Sequence, residues 1–125
     1  MYLIINTETG KFLTFRKSWA PYSKTPRVWG RRSDLAASIY HAIGGSSHYA
    51  DKYAYCFVRE IDAATGMILH SDPLPDFIDM LKAERAIRQE KEKLRYERRR
   101  EAFLSAELAR VRARADEIAS VLHAS

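Results

Sequence analysis

Cysteine, glycine and proline are scarce in this chain of 125 residues, and each scarcity excludes something. A single cysteine, Cys56, rules out an internal disulfide and any CxxC metal or redox motif. It lies in the apolar run of residues 53–58, where a free thiol is expected to pack as a small buried hydrophobe. The five glycines and four prolines all precede residue 76, so the last fifty residues contain nothing that breaks a helix. Long apolar runs are missing as well. None approaches the roughly 20 residues that cross a bilayer, and the apolar opening at residues 2–5 lacks the basic flank and length of a secretory signal. A soluble, cytoplasmic protein with no membrane partner is the expectation. His41, His48, His70 and His123 form no HxxxH pair, and Gly44-Gly45-Ser46-Ser47 lacks the lysine of a phosphate loop. Asp76 and Asp79 read as helix-start residues. No catalytic group, metal site or cofactor is expected, and the chain is read as a non-enzyme.

Hydrophobic residues make up 46% of the chain, enough for a core in one small domain. Residues 1–75 read as an α+β head, a small antiparallel sheet of four or five strands with one packed helix. Residues 2–6 and 11–15 form one hairpin around Thr7-Glu8-Thr9-Gly10, and residues 53–61 and 67–70 form another around Asp62-Ala63-Ala64-Thr65-Gly66. The two share Asn6 or Asp62 opening the turn and Gly10 or Gly66 closing it, the residue types that tight hairpin loops require. Residues 27–29 suggest a further short strand. Residues 33–43 suggest a helix capped by Ser33 or Asp34, with Leu35, Ile39, Ala42 and Ile43 facing the core and Gly44-Gly45 at its end. The strand at residues 53–61 is apolar on both alternating sets as far as Val58, so it is expected to be central and covered on both faces. Residues 71–75 are expected to end the strand before them.

From Asp76 to residue 125 the composition is that of a helical arm, charged over residues 82–101 and coiled-coil-like over 104–122. Leu104, Leu108, Val111, Ala115, Ile118 and Leu122 follow a strict 4-3-4-3-4 spacing. Two arrangements suit that stripe. It can form a homodimer with a second chain, or it can fold back on its own head after a break near residue 100. The lack of a turn residue between Ala83 and Leu104 favours the dimer.

Charge is unevenly spread. The net +5 divides into +1 over residues 1–81, +4 over 82–101 and zero beyond. Residues 11–32 contain no acid. There Arg16, Lys17, Lys24, Arg27, Arg31 and Arg32 interleave with Trp19 and Tyr22, a mixture suited to phosphates and base stacking. Arg88, Arg95, Arg98, Arg99 and Arg100 form a second basic group, which suits phosphates or an acidic protein surface. Acids at i+3 and i+4 spacing, such as Glu84 with Arg88, equally suit a solvated connecting helix.

Met1-Tyr2-Leu3-Ile4-Ile5, the turn into Gly10-Lys11-Phe12-Leu13, the lone Trp19, Pro26-Arg27-Val28-Trp29 and Val58-Arg59-Glu60 together resemble small proteins encoded by bacteriophages and prophages. The resemblance covers residues 1 to about 70 and does not include the arm. It implies an accessory protein of the host bacterial cytoplasm that inhibits or redirects a host protein or nucleoprotein complex, such as a bacterial defence system, in the manner of anti-CRISPR proteins. Direct nucleic-acid binding through the basic and aromatic residues is the alternative, and a virion or assembly component a further one.

Overall fold

The computed structural model describes residues 1–124. Its strands and helices follow in the order β1 (Tyr2–Asn6), β2 (Phe12–Leu13), β3 (Tyr22–Ser23), α1 (Arg32–Ile43), α2 (Tyr49–Lys52), β4 (Cys56–Ile61), β5 (Ile68–Pro73) and α3 (Leu74–Ala124). The five strands form one antiparallel sheet in the order β3-β2-β1-β4-β5, so the protein is α+β.

The two hairpin turns form as their residues dictate, and they use the same bonds. Asn6 Oδ1 accepts from the backbone N–H of Glu8 and Thr9, and Asp62 Oδ1 accepts from that of Ala64. Gly10 and Gly66 take φ of 71° and 73° and return their N–H groups to the carbonyls of Asn6 and Asp62, both at 2.8 Å. A side chain at either glycine would force a left-handed backbone that L residues disfavour. The bond from Ala64 also holds the Asp62 carboxyl below its usual value.

One face of the sheet carries the core. Ile4, Leu13, Cys56 and Val58 pack with Leu35, Ile39 and Ile43 of α1, with Tyr49 and Tyr53, and with Leu74, Phe77, Ile78 and Leu81 from the start of α3. The 3-4 spacing of these last four turns one side of α3 inward. Tyr40 Oη donates to the Leu81 carbonyl at 2.8 Å, Tyr49 Oη donates to Asp79, and Lys82 Nζ lies 4.4 Å from the Tyr49 ring centre. The first compact unit, Met1–Ala83, therefore includes the opening turns of α3, and a second unit runs from Glu84 onward.

Several details differ from the sequence expectation. β4 lies one place from the edge and β1 is central. Only one face of β4 is buried; Phe57 and Arg59 point to the other face, beside Leu3 and Ile5 across the ladder, and remain half-buried. The apolar run misled because residues 53–55 are not strand. They leave α2 and turn the chain, with the Cys56 N–H bonded to the Tyr53 carbonyl at 3.1 Å. β5 does not end at Ser71 but continues through Pro73, and α3 starts at once, with Pro75 in the first turn where a missing N–H costs nothing. Residues 27–29 contribute a single bridge, Trp29 exchanging both backbone bonds with Tyr2 at 2.8 and 2.9 Å. α1 starts at Arg32 behind an extended Arg31 with no side-chain cap, and Ala42 is exposed. The alternative of a break near residue 100 does not occur: α3 is helical throughout residues 99–103, which contain neither glycine nor proline.

Candidate functional site

Between β2 and β3 the chain makes a short loop whose base is fastened from inside. The N–H and the hydroxyl of buried Thr14 both donate to the Pro21 carbonyl, at 2.8 and 3.2 Å. Phe15 then adopts φ of 55°, left-handed backbone that an aromatic residue seldom occupies. Its ring offsets that cost by packing against Trp29, centroids 6.3 Å apart, and edge-on against Tyr53 at 6.1 Å. The turn at Phe15 separates inward from outward residues. Phe15 itself joins the core, whereas Arg16, Lys17 and Trp19 stand in solvent, the last 80% exposed. A bond from the Ala20 N–H to the Lys17 carbonyl, 3.3 Å, closes the tip.

Lys17 Nζ sits 4.9 Å from the centre of the Trp19 ring. An exposed cation over an indole contributes about 0.5–1 kcal/mol, enough to bias the pair toward one geometry. Beside this tip lies a shallow depression lined by Thr14, Arg16, Lys17, Ala20, Tyr22, Ser23 and Thr25. Lys24 is exposed next to it. Two cations edging a hydroxyl-bearing hollow, with an indole presented alongside, can hold a carboxylate or phosphate and stack a flat apolar group.

The other residues of the acid-free stretch have structural roles. Arg27 Nη1 donates to the Thr14 carbonyl at 2.8 Å, and its guanidinium lies 4.8 Å from the Trp29 ring centre. Trp29 Nε1 in turn donates to Ser38 Oγ at 2.9 Å, so Arg27 braces the loop base against α1. Arg32 lies over the Phe77 ring at 5.3 Å. Arg31 is exposed and 3.9 Å from Asp34. Tyr22 contacts buried Cys56, oxygen to sulfur 3.4 Å, and burial pushes its hydroxyl up to about 12. The same burial raises the Cys56 thiol, which keeps it neutral and unreactive. Of the eight residues singled out in this stretch, Arg16, Lys17, Trp19 and Lys24 share the exposed loop surface, with Tyr22 at its floor. No sequence signal marks the inward role of Arg27, because it depends on α1 lying beside the loop.

In the second unit, Arg88, Arg95, Arg98, Arg99 and Arg100 are all exposed on α3. Lys91, Leu94, Arg95 and Arg98 fall on one side of the helix. Arg88 and Arg99 lie on that side as well, at spacings of seven and four residues from Arg95, and only Arg100 turns away, since each residue rotates about 100°. Four of the five arginines therefore form a row along one face of the helix. The seam residues Leu104, Leu108, Val111, Ala115, Ile118 and Leu122 are exposed without exception. Among the described residues no group of three or more His, Cys, Asp or Glu is placed to hold a metal ion, and no helix is long and apolar enough to cross a membrane.

No protein-family model matches the chain, and no curated protein or solved structure matches it.

Proposed function

We propose that this is a non-enzymatic binding protein that inhibits or redirects a protein or nucleoprotein complex, and that it makes contact through Arg16, Lys17, Trp19 and Lys24. The observation that carries this reading is the exposed Trp19 held under Lys17 at the tip of an internally fastened loop. Trp19, at 80%, is the most exposed of the large hydrophobic residues described, and Trp, Tyr and Arg are enriched among the residues that anchor interfaces. A loop fixed at its base loses little entropy on binding, which favours affinity. The partner surface is acidic, matching a stretch without a single carboxylate over residues 11–32. The resemblance of residues 1 to about 70 to phage accessory proteins supplies the setting, a host complex such as a defence system in the bacterial cytoplasm.

The test is affinity capture from bacterial lysate, comparing the native chain with the triple variant R16A/K17A/W19A. Circular dichroism should show both equally folded, because none of the three side chains contributes to the core. A protein retained by the native chain, unaffected by nuclease and lost with the variant, supports the reading. Equal capture by both chains overturns it. The same cations and indole also favour a second reading, direct nucleic-acid binding. In that case capture is abolished by nuclease, and single-stranded DNA is retarded in gels with an affinity that falls steeply with salt.

A further inference from the structure

The six seam residues of α3 present an apolar stripe to solvent: Leu104, Leu108, Val111, Ile118 and Leu122 are each between 52% and 69% exposed, and Ala115 is exposed between them. A stripe of this regularity on an uninterrupted helix needs a partner with the same spacing. We propose that a second copy of this chain covers it, parallel and in register, as a two-stranded coiled coil over residues 104–122. This inference rests on α3 alone and is independent of the loop at Trp19.

The orientation follows from the charges beside the seam. With Leu108, Ala115 and Leu122 at a and Leu104, Val111 and Ile118 at d, the g positions are Arg100, Glu107, Arg114 and Val121, and the e positions are Ser105, Arg112 and Ala119. In a parallel pair each g residue meets the e residue five positions further along the other chain. Glu107 then faces Arg112 of the second copy, twice by symmetry, and Arg100 and Arg114 face uncharged Ser105 and Ala119. Glu107 already has Arg110 of its own chain at 2.9 Å, and its side chain, 39% exposed, remains open to a second cation. An antiparallel pair that matched all six seam residues would instead set Arg112 against Arg112 and Arg114 against Arg114. Shifting that pair by one heptad would bring Glu107 to Arg114, but it would place Glu97 and Glu101 against Leu122 and Ile118. Only the parallel arrangement keeps six apolar layers and joins unlike charges.

The same flanks limit the number of strands. Arg100, Glu107, Arg112 and Arg114 confine the apolar surface to a and d as far as residue 114, the narrow seam of a two-stranded coil, and only Val121 at the last g position widens it. Wider bundles need apolar residues at e or g. Val111 and Ile118 at d lean toward more strands, and the charged borders oppose this. Towards the head, d falls on Glu90 and Glu97 and a on Glu101, so the paired stretch begins at Leu104.

Light scattering of the full chain should give twice the 14.4 kDa monomer mass. L108E/V111E should give the monomer mass with helix content retained by circular dichroism. For orientation, E107R alone and R112E alone should each weaken association by about tenfold, as two attractive pairs become repulsive, and E107R/R112E should restore it. A native monomer, or a trimer or tetramer, overturns the proposal. So does a dimer in which E107R has no effect and the double variant restores nothing, the behaviour of the antiparallel pair.

Discussion

Arg16 and Arg27 stand eleven positions apart in the same acid-free stretch, and in composition nothing separates them. Arg27 donates to the Thr14 carbonyl at 2.8 Å and stacks on Trp29, whereas Arg16 is exposed. Arg27→Ala leaves a half-buried carbonyl without its donor and should lower stability by about 1–3 kcal/mol in urea unfolding. Arg16→Ala should change stability by less than about 0.5 kcal/mol and act on binding alone. Tyr22 gives a pH-dependent counterpart. Its hydroxyl is raised from 10.0 to about 12 in the folded state, so the unfolded chain loses that proton first. The contribution is complete below the ordinary value and is lost as pH climbs toward the folded one. Native stability should therefore fall more steeply than that of Tyr22→Phe between pH about 10 and about 12, as urea midpoints measured across that range will show. Equal slopes would mean that burial does not raise the Tyr22 hydroxyl in the folded state.

At the scale of elements, legibility followed locality. The two hairpin turns could be read from Asn6, Gly10, Asp62 and Gly66, because the bonds these four make within the turns span no more than four residues, whereas the tie from Thr7 to the distant Tyr55 carbonyl could not be read. The inward side of α1 was legible at Leu35, Ile39 and Ile43 for the same reason, and so was the helical character of residues 76–124, though not their continuity. β3 was not. Tyr22–Ser23 is strand only because Phe12 and Leu13 lie opposite, a long-range condition that no two-residue pattern reveals. α2 was hidden in the same way: Tyr53 read as the start of a strand, and the contacts of Tyr49 with Asp79 and of Tyr53 with Phe15 that hold the helical turn are long-range. The candidate site was half legible: the interleaved cations and aromatics were visible, and the division into core and surface was not. That division is set by one backbone angle, at Phe15. The opening of α3 belongs to the head, and a substitution can show it. Ile78 is wholly buried, so Ile78→Ala should cost about 2–5 kcal/mol in the unfolding of the head. A cost near zero would detach α3 from the core.

For the molecule as a whole, the net charge of +5 resolves into two basic regions with different geometry. On the head, cations and an indole share one fastened loop. On α3, Arg88, Arg95, Arg98 and Arg99 line one face of the helix, spread over about 16 Å of its axis. In the reading proposed above the head makes the specific contact, and the α3 arginines would strengthen attraction to an acidic partner at longer range. The central claim is that Trp19 becomes buried in the interface. Its fluorescence tests this most directly, because Trp29, the other indole, is 4% exposed and already shielded from a soluble quencher. In the complex isolated by affinity capture, acrylamide quenching of the protein's tryptophan emission should fall sharply and the emission should shift to the blue. Quenching and emission identical to those of the free protein, in a complex shown to be intact, would contradict the account.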